Sequence, residues 1–157
     1  EIEQRITSLG YVLMDEASGN FYGKQLIRAY YFKTIPDVLA KKFEDQYDLT
    51  PDAIKENVYR RENPNTYLAN FAQFIIEHKE IPEMKAIIKD GLQRFISRQI
   101  LQFEDAKEVP IHFVGSIAFY LKDEIREALK NNGLQLGNVV KRPIDSLVEH
   151  HQKLLNL

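Results

Sequence analysis

The chain has 157 residues, the size of one ordinary domain able to bury most of its surface. Apolar residues make up 44% and charged residues 28%, as in globular chains, and no apolar run reaches the ~18 residues that suggest a membrane span. Lys and Arg number 21 against 23 Asp and Glu, a formal charge of −2 that argues against a nucleic-acid partner, and the absence of Cys excludes a disulfide framework or thiolate site in this chain.

The first residue is Glu1, and no basic segment followed by an apolar one marks a signal peptide. The expectation is a cytoplasmic protein of which this chain is a piece. Ile2 to Leu13 shows a weak alternation and reads as extended strand or loop. Asp15-Glu16-Ala17-Ser18-Gly19 follows, where Asp or Ser can cap a helix. Phe21 to Lys33 then sets Tyr22, Leu26 and Tyr30 on one helical face. Pro36 starts a short helix with Val38, Leu39 and Phe43 inward. Thr50-Pro51 gives a cap and a first helical residue, with Ile54 and Val58 facing together. Glu62-Asn63-Pro64-Asn65 reads as a turn, and Thr66 to Glu77 as a helix with Leu68, Phe71, Ala72 and Ile75 inward.

The clearest pattern runs from Pro82 to Gln102. Met84, Ile87, Ile88, Leu92, Phe95, Ile96 and Ile100 repeat at three and four, predicting a central packing helix. Gly91 interrupts it at roughly 1 kcal/mol relative to Ala. Val109 to Val114 then reads as a buried strand that ends at Gly115-Ser116. A helix with Ile117, Leu121, Ile125, Ala128 and Leu129 inward closes at Asn131-Asn132-Gly133. Leu134 to Val140 is a second strand, and Pro143 opens a last helix. Strand, helix, strand, helix predicts a small parallel βαβ unit under a mostly helical cap.

Two corners carry chemistry. At Gly115-Ser116 a strand ends at a helix N-terminus, whose free N–H groups and partial positive charge suit a phosphate or polar ligand edge; a plain tight turn with an N-cap explains the same residues. At Asp15 to Gly19 an acid pair lies beside small residues, where carboxylate and hydroxyl groups can bind the vicinal hydroxyls of a sugar; a variant capping box explains these too. His150 and His151 are adjacent on a predicted helix and point about 100° apart, so they form no metal pair. No metal site is expected. Arg60-Arg61 and Lys41-Lys42 read as solvated faces, and no basic amphipathic stretch marks a membrane surface.

Leu9 to Gly19 resembles the Gly-Asp-Glu-Gly-Ser motif of the N-acetylglucosamine kinase-like proteins, the BadF/BadG/BcrA/BcrD ATPase group. Tyr22 to Leu26, Val58-Tyr59 and Pro64 to Ala69 are similar to that family as well. Phe113-Val114-Gly115-Ser116-Ile117-Ala118 resembles its adenosine motif, and Gly137 to His150 its tail. The likeness runs through nearly the whole chain in the same order. It implies a helix-dominated α/β fold: the ribonuclease-H-like second lobe of an actin-like ATPase, with a small mixed or parallel sheet and a helical cap. Residues 1–157 would be one domain, most of the C-terminal lobe. The N-terminal lobe and the start of the C-terminal lobe, with their phosphate loops and catalytic aspartate, are then absent, and no catalytic residue is expected here.

The resemblance further implies an ATP-dependent kinase for N-acetylglucosamine or a related amino sugar, using ATP and Mg²⁺, with both ligands in the cleft between lobes. Asp15 would bind sugar hydroxyls, Ser18 and Gly19 would shape that rim, and Glu16 would support it. Gly115 and Ser116 would border the adenosine. The partners implied are the sugar, ATP and a second copy in a homodimer. Met14 and Ala17 depart from the family, which has Gly at both. Ala17 is strained if its φ is positive, and Met14 adds bulk beside Asp15. Two alternatives follow: a dehydratase-activating ATPase of the same superfamily, disfavoured by the lack of Cys, and a non-catalytic binding protein on a degenerate kinase fold. The kinase reading requires the Asp15 and Gly115-Ser116 corners to meet across one cleft.

Overall fold

The computed structural model describes residues 6–142, which form eight helices and one two-stranded sheet. Residues 6–10 carry no regular structure, and the chain then turns over Gly10 to Met14, where the N–H groups of Leu13 and Met14 both bond the Gly10 carbonyl. The part of the expected extended run that is described is therefore a turn, because Gly10 takes a φ of 84°. Helix α1 (Gly19–Tyr31) starts where the Ser18 side chain accepts the N–H of Phe21. It sends Tyr22 and Leu26 into the core. The Tyr22 hydroxyl donates to the Ile88 carbonyl at 3.2 Å, so the polar end of a buried ring is paired. Burial, with Asp90 and Glu124 adding to it, pushes the Tyr22 phenol well above its ordinary pKa.

Helix α2 (Asp37–Gln46) follows Pro36 and buries Leu39 and Phe43, four residues apart. Val38, expected inward, is 74% exposed. One residue of helix turns it about 100° from Leu39 and out of the stripe. Helix α3 (Pro51–Tyr59) carries the Thr50 cap and first-turn proline read from its sequence, with Ile54 and Val58 half-buried. The stretch expected as one helix over 66–77 is two. Helix α4 (Pro64–Asn70) and helix α5 (Ala72–Glu77) meet at Phe71, whose N–H bonds the Leu68 carbonyl three residues back, tightening the turn. Phe43 of α2 and Tyr47 just beyond its end pack on Phe71 and Phe74, the Phe43 ring centroid 5.6 Å and 4.9 Å from theirs.

Helix α6 (Pro82–Arg98) is the central helix, burying Met84, Ile88, Leu92 and Ile96. It stops four residues short of the expected end and passes into a 3-10 turn at Ile100–Gln102. Gly91 is a notch for another helix: a Cβ there would lie 2.7 Å from Tyr22 Cε1 and 2.9 Å from Phe21 Cε1.

Strand β1 (Pro110–Val114), helix α7 (Ser116–Tyr120), helix α8 (Lys122–Asn131) and strand β2 (Gln135–Val140) form the expected parallel βαβ unit. Pro110 pairs with Gln135 and Val114 with Val140, and the register shifts between Ile111 and Phe113. At that irregularity the His112 ring fills the gap, its Nδ1 accepting the Asn138 N–H at 2.9 Å. Strand β1 was expected to be buried, and it is not. Ile111 and Phe113 are half-buried toward the helices, while Pro110, His112 and Val114 are exposed, because helices cover one face of this sheet. The helix expected from Pro143 lies outside the described residues. The described part is thus a helix-dominated α/β fold with a small parallel sheet. No helix among the described residues is long and apolar enough to cross a membrane.

Candidate functional site

The loop before α1 is shaped by short-range bonding. The Asp15 carbonyl accepts the Ser18 N–H at 3.2 Å, and Ser18 Oγ caps the helix. Between them Ala17 takes a φ of 60°, the left-handed region that favours glycine. The two acids diverge. Asp15 Oδ2 accepts from Asn20 Nδ2 at 2.9 Å, which leaves Oδ1 without a hydrogen-bond partner among the described residues. Glu16 Oε1 takes Arg98 Nη1 at 2.8 Å, and the Gln99 amide lies 3.5 Å from Oε2. The Glu16 side chain is 10% exposed. Burial pushes its carboxyl up, but a bond from its own N–H and the Arg98 guanidinium outweigh this and hold it below the ordinary carboxylate value. Glu16 therefore fastens the loop to the end of α6.

The second corner turns on Gly115, whose φ of 130° and ψ of 162° suit a residue without Cβ. Its N–H donates to the Val140 carbonyl at 2.8 Å, fixing the corner to β2, and its carbonyl accepts the Phe119 N–H. The N–H groups of Ser116, Ile117 and Ala118 have no bonding partner among the described residues. The sequence predicts one continuous helix here. Leu121, at φ −102° and ψ 25°, breaks it after five residues. The macrodipole expected at this end is therefore that of little more than one turn, and the free amides are the main donors.

The two corners border one cleft of about 520 Å³, within the ~300–1,000 Å³ usual for small-molecule sites. Asp15, Glu16, Ser18 and Gly19 line one side, and Gly115 and Ser116 the other; Leu92, Phe95, Phe113 and Ile125 give it an apolar wall. All six residues singled out from the sequence thus border the same space. The apolar wall and the Arg98 anchor were not identified as site residues. They come from α6, β1 and α8, and no local pattern distinguishes a core residue that faces a cleft from one that faces the interior. Met14 also lines the cleft. Among the described residues no three His, Asp or Glu side chains converge to hold a metal. The free amides and flat glycine backbone of the second corner suit an anionic or planar ligand, as a nucleotide is.

No family model and no curated protein matches the chain. The fold is nevertheless sugar-kinase-like. It superposes on the "putative N-acetylglucosamine kinase" of Porphyromonas gingivalis with a TM-score of 0.90 at 34% identity, over 98% of this chain and 54% of that one. The chain therefore spans about half the length of the protein it matches.

Proposed function

We propose that the chain is most of the second lobe of an ATP-dependent sugar kinase, binding N-acetylglucosamine or a related amino sugar at Asp15 and the nucleotide at Gly115 and Ser116. The observation that carries this reading is the shared cleft: two corners far apart in sequence face one space. The fold and name of the P. gingivalis protein support it.

Asn20 occupies Asp15 Oδ2, so Oδ1 is the atom that accepts the sugar hydroxyls. Ser18 and Gly19 form the rim beside them, and Glu16 holds the loop through Arg98. The apolar wall of Leu92, Phe95 and Phe113 suits the less polar face of a sugar ring. Gly115 lets the nucleotide approach the backbone closely, and the amides of residues 116–118 donate to it. ATP supplies the phosphoryl group, with Mg²⁺ balancing its charge. The base that takes the proton of the attacking hydroxyl belongs, on this reading, to the other part of the protein, so this chain binds and orients.

The test is sugar-dependent ADP formation by the full-length protein. Asp15→Asn weakens a charged acceptor of sugar hydroxyls and is expected to raise the sugar KM by about 10- to 100-fold, with the KM for ATP unchanged. A sugar KM that stays put in Asp15→Asn refutes the assignment.

A further inference from the structure

Apart from Tyr22, Asn20 is the one polar side chain buried among the described residues, at 5% exposure. It lies in the first turn of α1, behind Asp15, and does not line the cleft. Its Nδ2 donates to Asp15 Oδ2 at 2.9 Å and to the Tyr11 carbonyl at 3.1 Å. Its Oδ1 is buried and has no hydrogen-bond partner among the described residues. Both groups facing Nδ2 are acceptors, so a flipped amide would press Oδ1 against two oxygens; chemistry fixes its orientation. An apolar side chain of the same shape would leave no orphaned oxygen at this spot. What the amide supplies in return is its nitrogen, which ties the 10–14 turn to one oxygen of the Asp15 carboxylate.

We infer that Asn20 is a positioning residue for sugar binding: its amide sets the rotation of the Asp15 carboxylate and so presents Oδ1 to the substrate. This rests on the assignment of Asp15 made above. Asn20 acts through Asp15 and does not touch the sugar. Asn20→Leu removes both donors while keeping the branched heavy-atom shape, and leaves the carboxylate free to rotate. Asn20→Asp sets two carboxyl groups about 2.9 Å apart, too close for both to ionise readily, so they share a proton at acid pH. The shared proton then restores the bond to Asp15, though not the one to the Tyr11 carbonyl, and the arrangement fails as the proton leaves. Glu16, the next acid along the loop, is held below the ordinary carboxylate value beside Arg98.

The experiment measures sugar-dependent ADP formation by the full-length protein as a function of pH, for the parent, Asn20→Leu, Asn20→Asp and Asp15→Asn. Asn20→Leu is expected to raise the sugar KM about 10-fold, with kcat and the KM for ATP within about 2-fold. Asn20→Asp is expected to bind sugar nearly as the parent does at about pH 5.5 and about 10-fold more weakly at about pH 8.5. A merely structural Asn20 would lower the melting temperature without any pH-dependent change in the sugar KM. If Asp15→Asn raises the sugar KM while Asn20→Asp follows the parent at every pH, the inference is overturned and the kinase reading stands. If Asp15→Asn itself has no effect, the sugar assignment falls, and the inference with it. Should Asn20→Leu fail to fold, the pH profile of Asn20→Asp decides alone.

Discussion

Ala17 shows what one methyl group costs. At φ 60° its Cβ crowds the following carbonyl, a penalty of about 1 kcal/mol that glycine escapes. Ala17→Gly is expected to stabilise the protein by about 0.5 kcal/mol, or about 1–2 °C in Tm, in a thermal melt, because the greater freedom of glycine in the unfolded chain offsets part of the relief. An unchanged sugar KM in the same variant would identify alanine at this left-handed position as a backbone cost and nothing more. Glu16 carries a different signature. Its carboxyl is held below the ordinary value in the fold, so the unfolded chain takes up the proton first. The stability this supplies is present above the ordinary carboxylate range and is lost as pH falls through the lowered folded value. Arg98 is 59% exposed, which keeps the pair's worth to less than about 1 kcal/mol. Arg98→Met is therefore expected to cost less than about 1 kcal/mol at pH 7 and progressively less as pH falls through the lowered Glu16 value, read as the gap between two denaturant midpoints plotted against pH.

Packing between elements turns on close approach. Where α1 crosses α4, a Cβ on Gly23 would sit 1.7 Å from the Leu68 carbonyl oxygen. No rotamer relieves a clash with backbone, so the helices must separate. Gly23→Ala is expected to destabilise by about 3 kcal/mol despite alanine's better helix propensity, measurable by urea unfolding. The same geometry explains what was legible in the sequence. Helix starts are local chemistry, and Ser18, Thr50 and the prolines at 51 and 82 announce them, whereas Pro64, read as part of a turn, opens α4. The βαβ order was legible for the same reason, through Gly115 and Gly133. What was hidden depends on partners distant in the chain. Gly91 reads as a flaw until the Phe21 and Tyr22 rings fill its notch. The breaks at Phe71 and Leu121 leave the apolar spacing intact, so periodicity carries no sign of them. In the candidate site, the turn chemistry at both corners was visible, but Arg98 lies 82 residues from Glu16, and the Asn20 amide follows from a loop path that side-chain types do not encode.

At the scale of the molecule, the sheet is the least self-sufficient part. Two parallel strands with one face open make a marginal sheet, since parallel sheets normally lie between two layers. Val114 on the open face of β1 is 63% exposed, and Leu9, Val12 and Leu13 in the segment before Asp15 are 62%, 67% and 68% exposed. If the rest of a two-lobed kinase adds strands or a layer there, these surfaces are interior in the full-length protein and exposed only in the isolated chain. Val114→Lys separates the two cases. In the isolated 157-residue chain the lysine extends into water, and stability should change by no more than about 0.5 kcal/mol. In the full-length protein a buried, unpaired ammonium should cost about 2 kcal/mol or more, and the melting temperature should fall by several degrees. Equal melting shifts in the two proteins would mean that nothing covers this face and that the chain is not a lobe completed by the remainder.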